Sequence, residues 1–105
     1  LQIMMQYIHD NYSGPITLDD IARTVLISKS SVLNIFRTYL HTSPINYVVE
    51  YRLKRASKLL VDTENSVCAI AHETGFENIG YFCRRFKKLY GVTPIYYRNH
   101  CHSAE

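Results

Sequence analysis

Cysteine is scarce, with three residues in a chain of 105, and the three show no paired spacing. An odd, unpaired set argues against a disulfide framework and fits a reducing cytosol. No apolar run approaches the roughly 18 residues that a bilayer-spanning helix needs, so no membrane role is expected. No charged-then-apolar leader stands at the start, and the first residue is Leu1 rather than methionine. The chain therefore reads as a piece of something longer. Catalytic patterns are missing as well. Ser, His and Asp all occur, but there is no nucleophile elbow, no glycine-rich phosphate loop and no HExxH pattern, so no enzyme is expected. The nearest approach to a metal site is Cys68 with His72 at i, i+4, together with the run His100-Cys101-His102. Zinc usually takes four tetrahedral ligands. Cys68 is expected to be at least half-buried and the 100–102 run to lie in a tail, so neither a metal nor any other cofactor is expected.

Carboxylates are missing from two long windows. No Asp or Glu lies between Asp20 and Glu50, a stretch that holds Arg23, Lys29 and Arg37. None lies between Glu77 and Glu105, where Arg84, Arg85, Lys87, Lys88 and Arg98 occur. The net charge is only +3, yet its placement suits a polyanionic partner, since a carboxylate beside a phosphate is repelled. Windows of this length also arise by chance in a mildly basic chain.

What is present is helical punctuation. Residues 2–12 carry Ile3, Met4, Tyr7, Ile8 and Tyr12 at helical spacing, and Ser13-Gly14-Pro15 ends that segment. Thr17 is an N-cap with Asp20 three residues on, ahead of Leu18, Ile21, Ala22 and Val25. Ser28 caps a helix to about Leu40, with Val32, Ile35, Phe36 and Tyr39 inward. Ser43-Pro44 opens a long helix over 44–60, about 25 Å long, in which Ile45, Val48, Val49, Leu53, Ala56, Leu59 and Leu60 recur at the helical period. Ser66 caps a short helix that Gly75 ends. Asn78 caps the next, to about Tyr90, where Gly91 closes it. Thr93-Pro94 starts a last one, with a frayed tail from Asn99. No segment reads as a strand. The expected fold class is all-α: seven helices, two helix-turn-helix subdomains and a long linker helix. The expected divisions are 1–43, 44–60, 61–98 and a flexible tail at 99–105.

The two halves align. Ile21-Ala22 matches Ile70-Ala71, Leu26 matches Gly75 and Ile27 matches Phe76. After one extra residue in the second turn, Phe36-Arg37 matches Phe86-Lys87 and Ser43-Pro44 matches Thr93-Pro94. This is a duplicated unit, with too few copies for a solenoid. A half-length unit buries only roughly 60% of its unfolded surface, so the halves are expected to share an element.

Over roughly Leu1 to Arg98 the sequence resembles the C-terminal DNA-binding domain of the AraC/XylS family of bacterial transcription regulators. The second half carries most of the likeness, in Ile70-Ala71, Gly75-Phe76, Tyr81-Phe82, Arg84, Phe86-Lys87-Lys88, Gly91, Thr93-Pro94 and Tyr97-Arg98. Arg52-Leu53, Ala56 and Leu59-Leu60 resemble the family's linker helix. The first half departs in three places. Leu26 stands where a glycine or another turn-tolerant residue is common, and Leu at positive φ costs of order 1 kcal/mol, which predicts a turn of different geometry. His41 replaces a helix-ending glycine, and Lys29 replaces a frequent proline.

The resemblance implies sequence-specific binding of double-stranded DNA by two recognition helices, about 28–40 and 78–90, in successive major grooves roughly 34 Å apart. Carried over residue by residue, the base-reading set is Ser30, Leu33, Asn34, Tyr81 and Arg84. Asn34 suits adenine, Leu33 a thymine methyl and Arg84 guanine. The backbone set is Lys29, Ser31, Arg37, Asn78, Ile79, Gly80, Lys87 and Lys88. Several have a plainer reading: Asn34 and Lys88 as solvated, Ser30 and Ser31 as helix-start residues, Tyr81 as a packing or phosphate residue, Arg84 as a phosphate or structural residue, Gly80 as merely tolerated. With about six phosphates neutralised, log affinity should fall with log salt at a slope near −5. Arg52 and Arg98 are implied to be structural, paired with carboxylates. Phe36, Phe76, Phe82 and Phe86 are expected in the core. The implied partners are promoter DNA, RNA polymerase for an activator, and an N-terminal effector or dimerisation domain, in a bacterial cytoplasm. The alternative is a protein-interaction module that contacts RNA polymerase or a partner domain without reading DNA.

Overall fold

A computed structural model of the chain describes residues 1–101, with the side chain of Cys101 left out. Among the described residues there are seven helices and no strand: α1 Gln2–Asn11, α2 Leu18–Thr24, α3 Lys29–Leu40, α4 Pro44–Asp62, α5 Val67–Glu73, α6 Ile79–Tyr90 and α7 Pro94–Cys101. The polar residues that start them do so by side-chain capping. Thr17 Oγ1 accepts from the Asp20 amide at 3.1 Å while Asp20 Oδ2 accepts from the Thr17 amide at 2.9 Å, a reciprocal capping box. Ser28, Ser43, Ser66, Asn78 and Thr93 each accept from the amide three residues on. Each bond satisfies one of the amides that a helix start leaves without a partner.

The helix ends follow backbone conformation. His41 closes α3 with φ 56° and Gly91 closes α6 with φ 80°. The turns after α2 and α5 are alike. The Ile27 amide bonds back to Ala22 O at 3.3 Å, and the Phe76 amide bonds to Ala71 O at 2.9 Å. In both, the residue before that amide has positive φ, 55° at Leu26 and 96° at Gly75. The expectation of a different turn at Leu26 is thus wrong. The bond to Ala22 O fixes the same geometry as in the second half, and leucine bears the strain that glycine avoids.

The chain forms two compact units, Leu1–Tyr51 and a second beginning at Arg52, with the boundary inside α4. In the first, Met4, Ile8, Ile21, Ala22, Val32, Phe36 and Val48 form the buried core. In the second, Leu53, Ala56, Leu60, Ile70, Ala71, Phe76, Phe82 and Phe86 are buried. The second core is aromatic: Phe82 meets Phe76 at 5.0 Å between centroids, and Phe86 meets Tyr90 at 4.6 Å and Tyr97 at 5.4 Å.

Several residues and helix ends lie elsewhere than expected. Tyr39 is 68% exposed. With Val32 and Phe36 inward, the next inward position is Leu40, which packs against the core, and Tyr39 falls one step round the helix. Ile3 and Ile45 also face solvent, while Pro44 at the head of α4 is buried. Helix α4 runs two residues beyond 60, and its 19 residues make it about 28 Å long. The tail does not fray at Asn99. Helix α7 continues to Cys101, with His100 Nδ1 3.0 Å from Tyr96 O and the two rings stacked at 3.9 Å. Residues 102–105 of the expected tail lie outside the described residues.

Candidate nucleic-acid interface

Burying Val32 and Phe36 on one side of α3 leaves residues 30, 33, 34 and 37 on the other. Ser30, Leu33, Asn34 and Arg37 are all exposed. Their i, i+3, i+4, i+7 spacing makes one continuous stripe. Lys29 and Ser31 are engaged nearby. Lys29 Nζ lies 3.5 Å from Asp19 Oδ1. The Ser31 amide donates to Ser28 Oγ at 3.2 Å, and the two hydroxyls are 3.0 Å apart. The Ser31 side chain therefore belongs to the start of α3.

In α6, Phe82 and Phe86 are buried, and Gly80, Tyr81, Arg84, Lys87 and Lys88 are exposed. Asn78 and Ile79 are exposed at its head, but Asn78 Oδ1 is occupied by the Tyr81 amide at 2.8 Å. The Arg84 guanidinium carbon lies 5.9 Å from the Tyr81 ring centroid, in cation–π range. A Cβ at Gly80 would stand 3.2 Å from Asn78 Oδ1 and 3.8 Å from Arg84 Nη1. Glycine thus keeps space for the Asn78 cap, while the contact with Arg84 would be an ordinary one. The bond from Arg85 Nη1 to the Tyr81 hydroxyl, at 2.9 Å, was not foreseen, although the i, i+4 spacing of the two residues permits it.

Arg98 is structural, but not through a carboxylate. Its Nε donates to Leu60 O at 2.9 Å, and its Nη2 to Asn65 O at 2.6 Å and Thr63 O at 3.4 Å. It satisfies carbonyls at and beyond the end of α4 that the helix leaves without partners. Arg52 is half-buried. Burial pulls its pKa below the ordinary value, and the Glu77 carboxylate and Tyr81 oppose that pull. Cys68 is exposed rather than half-buried, and so is His72. Among the described residues no three His, Cys, Asp or Glu side chains could hold a metal ion together. His102, part of the other cluster, lies outside the described residues. No described helix is long and apolar enough to cross a membrane.

A sequence model of the helix-turn-helix domain family matches residues 21–100. The crystal structure of an AraC-type DNA-binding-domain transcriptional regulator from Chromobacterium violaceum superposes with a TM-score of 0.94 at 30% identity, over 100% of this chain and 94% of that one. The chain belongs to the AraC-type helix-turn-helix family. It is an all-α, DNA-binding domain of transcription regulators. Among curated relatives, an uncharacterized transcriptional regulator, YdeC of Bacillus subtilis, is 33% identical over 90% of this chain and 33% of its own length. The transcriptional regulator ArgR of Pseudomonas aeruginosa is 36% identical over 85% of this chain and 27% of its own. The AraC-type domain thus spans about a third of the length of these relatives.

Proposed function

We propose that this AraC-type domain reads promoter DNA through the outer stripes of α3 and α6, set in successive major grooves. The observation that carries the reading is the pairing of exposure with chemistry. Asn34 presents a donor and an acceptor suited to adenine N6 and N7, and Arg84 presents a fork suited to guanine O6 and N7. Both lie in windows without carboxylates. Ser30, Leu33 and Tyr81 complete the base-reading set. Lys29, Arg37, Lys87 and Lys88 serve the phosphates, with Ser31 contributing through its hydroxyl and Asn78, Ile79 and Gly80 through the start of α6, where backbone amides favour anions.

In the whole regulator this domain works by binding rather than by catalysis, in the bacterial cytoplasm. An effector or dimerisation domain adjoins it, and activation adds a contact to RNA polymerase. The test is selection of duplexes from a random pool, followed by hydroxyl-radical footprinting. The expected result is two protected grooves about one helical turn apart, with a log–log salt slope near −5. A domain that enriches no sequence and protects no groove would overturn the reading in favour of a protein-interaction module.

A further inference from the structure

Tyr81 is a meeting point for arginines. Arg85 Nη1 donates to its hydroxyl oxygen at 2.9 Å. The guanidinium carbons of Arg84 and Arg85 lie 5.9 and 5.8 Å from its ring centroid. The Arg52 guanidinium is also within electrostatic reach. Phe76, with its ring centroid 6.3 Å away, packs beside the ring. The phenol is therefore held at several points, yet the Tyr81 residue is 36% exposed, on the same face of α6 as Arg84.

The Arg85 bond fixes what the hydroxyl can do. A guanidinium has donors and no acceptor, so Arg85 takes a lone pair of the phenol oxygen. The proton of that hydroxyl cannot be given back to Arg85. It is left to donate to another acceptor, and the guanidinium's positive charge strengthens it as a donor. We infer that Arg85 is a positioning residue for DNA recognition, holding the Tyr81 hydroxyl as a donor, beside Arg84, to an oxygen or nitrogen acceptor on the duplex. This rests on α6 being a recognition helix. It gives Arg85 a role distinct from that of a plain phosphate-neutralising cation.

A double-mutant cycle tests it. Arg85→Met, Tyr81→Phe and the combination are titrated against the duplex that the wild-type protein selects and against an unrelated duplex, with far-UV circular dichroism as the fold control. Tyr81→Phe keeps the ring and removes only the hydroxyl, so it reports even if Arg85→Met is poorly folded. Each single change should weaken binding about tenfold, the order expected for one charge-assisted hydrogen bond. The double variant should also lose about tenfold, because both changes remove the same donor. Loss confined to the selected duplex marks a base acceptor, and equal loss on both duplexes marks a phosphate; either supports the inference. Losses that multiply to about a hundredfold, or a Tyr81→Phe protein that binds like wild type, overturn it. Arg84→Ala separates the two claims. If Arg84→Ala binds unchanged, α6 is not reading DNA. If it loses binding while residues 81 and 85 prove independent, only the role of Arg85 fails.

Discussion

Leu26 should be a site where removing a side chain stabilises the protein. Its φ is 55° and it is 91% exposed. A side-chain-bearing residue in the left-handed region costs about 1–2 kcal/mol. Complete burial of a leucine contributes about 1.5–3 kcal/mol, so the small covered fraction here contributes about 0.2 kcal/mol. Glycine removes the strain but adds unfolded-state entropy, a penalty of about 0.4–1 kcal/mol. Taking the middle of each range, the balance for Leu26→Gly is a gain of about 0.6 kcal/mol, equivalent to a rise in Tm of roughly 2–5 °C for a domain of this size. Urea unfolding followed by circular dichroism should show a higher midpoint at unchanged slope. Leu26→Ala retains the strain and should not reproduce the gain. Gly75→Ala, at φ 96°, should cost about 1 kcal/mol or more. A Leu26→Gly protein no more stable than wild type would refute the strain argument.

Three further outcomes are expected. Asp19→Asn releases Lys29, and since an exposed pair contributes about 0.2–1 kcal/mol, anisotropy titrations should show affinity rising up to about fivefold on any duplex; unchanged affinity would remove Lys29 from the phosphate set. Arg98→Met leaves the carbonyls of Leu60, Thr63 and Asn65 without this donor and should cost about 2–3 kcal/mol in urea unfolding; a cost under about 0.5 kcal/mol would mean water replaces the arginine. The Thr17 backbone bond, then the Thr17 hydroxyl and Arg23, lower the Asp20 pKa below its ordinary 3.8. A depressed carboxylate stabilises the fold above that value and loses the effect as pH falls through the folded pKa. The stability gap between wild type and Asp20→Asn should therefore be present at neutral pH and close below about pH 3.8; a gap independent of pH would show that the charge is irrelevant.

The sequence could be read where rules act over three or four residues. Caps at Thr17, Ser28, Ser66 and Asn78, the turn at Gly75 and the inward phenylalanines all follow from such local spacing. The exposure of Asn34 and Arg84 follows too, because fixing the inward residues of α3 and α6 fixes the outward ones. Arg98 could not be placed, because its acceptors are backbone carbonyls 33 to 38 residues away. Carbonyls carry no residue signature. Leu26 misled because the tertiary turn outweighs a local preference of only about 1 kcal/mol. The Arg85–Tyr81 bond lay within local spacing, but a Tyr–Arg pair at i, i+4 does not by itself distinguish a solvated arginine from an engaged one.

The most direct test of DNA reading through α3 and α6 is a base-preference profile of the selected duplex, measured for wild type, Asn34→Ala and Arg84→Ala. Each variant should lose discrimination at its own base pair, by about 1–3 kcal/mol, and keep the preferences elsewhere. Profiles that match wild type at every position for both variants would contradict the account.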